Sequence, residues 1–147
     1  MARDQLGTVR QFAELREKEA GIRLSRAQVV VASAETQLRQ IADYREDYQR
    51  LATGVDRNLI GTHQLQAARY FLSELDKMAT KQRSTIQQAE LALDRERGLW
   101  VDAKRRLTAI DKLHTRRKKA QSSANEKLQQ RVQDELYSLK THLAEQY

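Results

Sequence analysis

Apolar residues recur every three and four positions along two stretches of the sequence, and turn-forming residues gather only between them. In the second stretch Leu65, Ala68, Leu72, Leu75, Ala79, Gln82, Ile86, Ala89, Leu93, Glu96, Trp100, Ala103, Leu107 and Ile110 alternate those steps without a break. The first stretch reads Ala13, Glu17, Ala20, Leu24, Ala27, Val31, Ala34, Leu38, Ile41, Arg45, Tyr48 and Ala52 in the same rhythm. A sustained spacing of about 3.5 residues marks a helix packed along its length against another helix. Two such helices bury a narrow seam and enclose no cavity for chemistry. A chain of this kind acts through its surface.

Composition supports long helices. The 147 residues include no proline and only five glycines, and they are rich in good helix formers. The first helix is expected over about residues 4–52, with Asp4 as its N-cap. The stretch Thr53-Gly54-Val55-Asp56-Arg57-Asn58-Leu59-Ile60-Gly61-Thr62 breaks the repeat. It is expected to hold a C-cap at Gly54, a short connection, and a fresh N-cap at Gly61 or Thr62. A second helix then runs over about 63–144. A short connection favours antiparallel neighbours, so the expected fold is all-α. It is one coiled-coil domain over 1–147, an antiparallel hairpin whose second helix overhangs the first. A turn near residue 59 sets position i opposite roughly 118 − i. Past Ile110 the pattern slips to Leu113, Arg117, Ala120, Ala124, Leu128, Val132, Leu136, Leu139 and Leu143, as in a stutter. These residues have no partner in the hairpin, and a lone helix is marginal in water.

Several function classes fall away. With no cysteine there are no disulfides or thiolate metal sites, and His63, His114 and His142 share no metal spacing. No phosphate-binding loop or nucleophile elbow occurs. The adjacent carboxylates Glu46-Asp47 and Asp134-Glu135 point to different sides of a helix. An enzyme is therefore not expected, nor a cofactor or small-molecule substrate. The start of the chain lacks the apolar run of a signal peptide, and no segment offers the ~20 apolar residues of a membrane span. A cytoplasmic protein is expected.

Two surface features remain. Tyr44, Tyr48, Tyr70 and Phe71 flank the turn, where folding the hairpin brings them together. Tyr48 and Leu72 fall on the seam, Tyr44 and Phe71 beside it, and Tyr70 outward. Such a concentration suggests a binding hot spot, although large rings also simply fill the end of a coiled coil. The second feature is charge. The net +7 lies mostly beyond residue 60, and residues 101–119 hold eight basic side chains against two acidic ones. Arg105, Arg116 and Lys119 share a helix face. An acidic protein surface, a nucleic acid or an anionic membrane would each suit them, as would plain solvent. Polar seam residues Arg45, Gln82 and Glu96 are expected to fix the register, and Trp100 to be core.

Six segments, in order, carry a family resemblance. They are Leu15-Arg16-Glu17-Lys18-Glu19-Ala20, Tyr44-Arg45-Glu46-Asp47-Tyr48, Phe71-Leu72-Ser73-Glu74-Leu75, Trp100-Val101-Asp102-Ala103-Lys104, Leu113-His114-Thr115-Arg116-Arg117 and Gln133-Asp134-Glu135. Together they resemble the FliJ family of flagellar type III protein export. The resemblance implies a coiled-coil stalk similar to the gamma subunit of rotary ATPases. Such a stalk enters a hexameric export ATPase, promotes its assembly and ATP hydrolysis, contacts a transmembrane export gate and exchanges substrate chaperones. The implied location is cytoplasmic, peripheral to the inner membrane at the flagellar base, with a bearing on motility and chemotaxis. The implied gate-facing residues are Gln37, Ile41, Tyr44, Tyr48, Phe71 and Leu75, with Met78 and Gln82 at the lower edge. The ATPase would then meet the opposite end, including Arg105, Arg106, Arg116, Arg117, Lys118 and Lys119. The equivalent stalk of a virulence injectisome and a nucleic-acid-binding basic coiled coil are the alternatives.

Overall fold

A computed structural model describes residues 2–53 and 61–146, with side chains from Gln5 onward in the first helix. The fold is all-α, an antiparallel helical hairpin with the second helix the longer. Helix α1 spans Ala2–Thr53 and α2 spans Thr62–Gln146, 52 and 85 residues. The first helix is already formed at Asp4, so Asp4 lies inside it and is not the cap. At the start of α2 the Leu65 N–H donates to the Gly61 carbonyl over 3.1 Å. That is the first intrahelical bond, and it makes Gly61 rather than Thr62 the N-cap. The C-cap expected at Gly54 and the rest of the connection, 54–60, lie outside the described residues.

The chain forms two compact units, Lys18–Asp102 and Met1–Glu17 with Ala103–Tyr147. In the first of these, two antiparallel helical segments share the expected seam. Every seam position from Ala20 to Ala52 is buried or half-buried except Arg45, and so is every one from Leu65 to Trp100. The most deeply buried is Leu75, 4% exposed, followed by Ala34 and Ala52. Three others in this unit fall in the same class: Ala20, Ala79 and Ala89, which as methyl groups leave Leu75 as the one large side chain among the six. Small residues let helix axes approach closely, because interaxial distance follows the side chains at the contact.

Cross-helix contacts within this unit run in antiparallel order. Gln82 Nε2 donates to the Ala34 carbonyl over 2.9 Å and to Gln37 Oε1 over 3.0 Å. Arg45 Nε donates to Asp76 Oδ1 over 2.6 Å, and Arg45 Nη1 reaches Gln49 Oε1 at 3.2 Å on its own helix. Tyr48 packs on Phe71, and Trp100 lies beside Gly21. Each pair falls within about one helical turn of the expected register. Of the three polar seam residues, Gln82 and Arg45 therefore tie the helices together. Glu96 differs: its Oε2 is buried without a hydrogen-bond partner among the described groups.

In the other unit the first turns of α1 pack on α2 in the same sense. Ala13 is buried, and Leu6, Glu14 and Glu17 are half-buried, against Ala103, Leu107, Ile110, Asp111 and His114. Arg10 Nε donates to Asp111 Oδ1 over 2.5 Å across the two helices. From Thr115 to Gln146 every residue of α2 is exposed.

Two helical glycines leave stability unrealised. A methyl group at Gly7 would meet nothing within 4 Å, and one at Gly21 would sit 3.5 Å from Trp100 Nε1 in ordinary contact. Gly7→Ala and Gly21→Ala are each expected to stabilise the fold by about 0.5–1 kcal/mol through the restricted unfolded backbone. Urea unfolding followed by circular dichroism checks this. A lower midpoint for Gly21→Ala would show that the indole cannot yield to the methyl.

Candidate partner-binding surfaces

The first surface is built from the last turns of α1 and the first turns of α2 within Lys18–Asp102. Tyr48 and Phe71 stack with ring centroids 4.6 Å apart and planes 27° from parallel. Such a pair contributes about 0.5–1.5 kcal/mol beyond its buried area, so the rings stabilise the helix pair as well as form its surface. Beside them an open apolar groove is lined by Tyr48, Leu51, Gln64, Ala67, Ala68 and Phe71. Tyr44 and Tyr70 stand 60% and 68% exposed, and Phe71 45%. Tyr70 points outward as expected.

The residues expected to face the gate are not equivalent. Gln37 is exposed, but its Oε1 accepts a hydrogen bond from Gln82. Ile41 and Tyr48 are half-buried, and Tyr44 and Phe71 are largely open. Leu75 is at the centre of the seam, where it supports the surface from beneath and offers a partner almost no area. Met78 is about half exposed, while Gln82 faces the other helix. Leu51, half exposed at the groove, escaped the sequence reading because it falls off the seam spacing.

The second surface belongs to the unit that contains Ala103–Tyr147. Arg105, Arg106, Arg116, Arg117, Lys118 and Lys119 are all exposed. A shallow depression is lined by Arg10, Asp111, His114, Thr115, Lys118 and Lys119. There the Asp111 carboxylate, first by its hydrogen bond and then by its charge, raises the Arg10 pKa. Arg10 is thus already matched by an acid, and the remaining positive charge of the depression comes from Lys118 and Lys119. The six basic residues do not form one face: Arg105, Arg116 and Lys119 align, whereas Arg106 and Arg117 lie about 100° further round.

The outer side of α1 carries apolar residues that no seam explains. Ile22 and Val29, one heptad apart, are 53% and 67% exposed. In the other unit Phe12 and Leu15 are similarly open. A search for a second repeat at the same spacing, offset from the seam, would have found them.

The model of the flagellar FliJ protein family matches residues 1–146. This chain belongs to the FliJ family. It is accordingly a component of the flagellar protein export apparatus. No match is found among curated proteins or among solved structures. Among the described residues no helix of this FliJ-family chain is long and apolar enough to cross a membrane. Nor do they contain a group of His, Asp and Glu side chains placed to hold a metal ion.

Gln82 is the point where the seam and the first surface meet. Gln82→Leu keeps the volume but removes both cross-helix hydrogen bonds and releases Gln37. Because the Ala34 carbonyl remains in its helix, the expected loss is small, about 1–2 kcal/mol. Denaturant titration measures it, and an unchanged midpoint would show that the amide contributes only register.

Proposed function

We propose that this chain is a noncatalytic, stalk-like activator of the hexameric flagellar export ATPase. In this reading it also contacts the transmembrane export gate and handles substrate chaperones. Family membership over 1–146 carries the export role. The finer assignment rests on one observation: its exposed chemistry is divided between an aromatic surface and a basic one, in different units of the chain.

The aromatic surface suits the gate. Tyr44, Tyr48 and Phe71 are the anchors, with Ile41 and Gln37 beside them and Leu75 as their support. Rings that are held in place by stacking lose little side-chain freedom on binding. The basic residues Arg105, Arg106, Arg116, Arg117, Lys118 and Lys119 suit an acidic ATPase lumen, which they would approach by charge attraction. Membrane association is then indirect, through the export apparatus at the flagellar base. The injectisome alternative is disfavoured by the flagellar family match. Nucleic-acid binding has less support, since no aromatic side chains interleave with the basic residues of 101–119 apart from Trp100 at their edge.

Two measurements test the assignment. Charge reversal at Arg105, Arg106, Arg116 and Arg117 together is expected to reduce stimulation of the cognate ATPase about tenfold at low salt. Undiminished stimulation would remove the basic residues from that interface. Tyr44→Ala with Phe71→Ala is expected to weaken gate binding by at least about 2 kcal/mol while helicity is retained. Unaltered gate affinity in a binding titration would refute the hot spot.

A further inference from the structure

The exposed stretch of α2 beyond Thr115 carries its own apolar stripe. Ala120, Ala124, Leu128, Val132 and Leu136 follow one another at intervals of four, and Leu139 and Leu143 continue them. That spacing is wider than the 3.6 residues of a helical turn, so the stripe winds in the opposite sense to the 3.5-residue seam. It does not simply extend the seam toward a longer α1. Its leucines are open: Leu128 is 61% exposed and Leu136 55%. Leu6 of α1 lies beside His114, Arg117 and Ala120, so α1 covers only the first positions and leaves the rest bare.

We infer that this stripe is a self-association surface, on which a second copy of the same chain packs antiparallel with Val132 at the two-fold axis. Two features of the residues favour this occupant. With Val132 on the axis, Leu128 of one copy meets Leu136 of the other, while Ala124 and Ala120 come opposite Lys140 and Ala144, one residue along the helix from Leu139 and Leu143. Each alanine then lies within one residue, about 1.5 Å along the axis, of a leucine of the other copy, so that small side chains are set beside large ones. The parallel arrangement stacks alanine on alanine and leucine on leucine.

Charge selects the same orientation. Lys127 precedes Leu128 and Glu135 precedes Leu136, which puts both on the same flank of the stripe. Antiparallel pairing brings Lys127 of each copy against Glu135 of the other, twice by symmetry. Parallel pairing sets Lys127 near Gln129 and Glu135 near Tyr137, with no opposite charges. Arg131 meets its own copy at the axis, but Glu135 one turn along its helix, and therefore beside it, offsets that repulsion. The pairing concerns the chain free of other partners and stands whether or not the ATPase reading holds.

Sedimentation equilibrium of the full chain is expected to give the mass of two chains in the micromolar range. Leu128→Gln with Leu136→Gln is expected to give one chain while the seam, and most helicity, survives. Because the chain has no cysteine, orientation is read directly from single-cysteine variants. A mixture of Leu128→Cys and Leu136→Cys chains is expected to form the mixed disulfide on oxidation, well above the self-linked product of either alone. Lys127→Glu is expected to weaken association about tenfold, and adding Glu135→Lys to restore it. A single-chain mass at every concentration would overturn the inference. So would a dimer indifferent to the double glutamine variant, or self-linked disulfides in place of the mixed one.

Discussion

Contact between methyl groups governs everything else about this chain. Ala20, Ala34, Ala52, Ala79 and Ala89 are buried where a globular core would place leucine and phenylalanine. Each alanine removes little apolar area from water, and area sets the hydrophobic contribution. Stability therefore accumulates along the seam and is not concentrated at a few anchors. Close approach of the helices follows, and the grooves among the described residues are open ones on the outside of the pair. Whatever the chain recognises must be recognised from outside.

The outward residues then divide by chemistry. At one pair of helix ends, rings stack on each other and present their remaining faces to solvent. Rings of this sort combine large contact area with few rotatable bonds, which suits a specific and desolvated contact. In the other unit the exposed charged groups between Lys104 and Lys119 are mostly guanidinium and ammonium ions on flexible stems. These act at longer range and are screened by salt. In the proposed function, this FliJ-family chain would offer one partner shape and another partner charge.

Much of this was legible in the spacing of residues, for a simple reason. A helix pair has one geometric parameter, the period, and a seam of twenty-six positions overdetermines it. Arg45 is the one seam residue in Lys18–Asp102 that ends up exposed, because its guanidinium reaches out to Asp76 instead of inward. Spacing could not tell which polar seam residue would find a partner: Gln82 finds two and Glu96 Oε2 none. That depends on rotamers and on which backbone carbonyl lies opposite. Family resemblance carried Leu75 to a binding surface, whereas its place in the repeat already put it inside, and burial follows the repeat. Gly61 and Thr62 were indistinguishable as caps, since both suit the position, until the Leu65 amide chose between them.

The bond from Gln82 to the Gln37 side chain has a bearing on how the chain finds its fold. Two helices with repeating seams possess a ladder of competing alignments, each one heptad from the next and each burying nearly the same methyl groups. Such near-degenerate states make a rugged landscape that traps chains on the way down. An amide that meets Gln37 Oε1 in one alignment, and would meet Val30 or Tyr44 at that place in its neighbours, opens an energy gap between the native rung and the rest. The value of Gln82 then lies less in strengthening the native pairing than in discrediting its imitations.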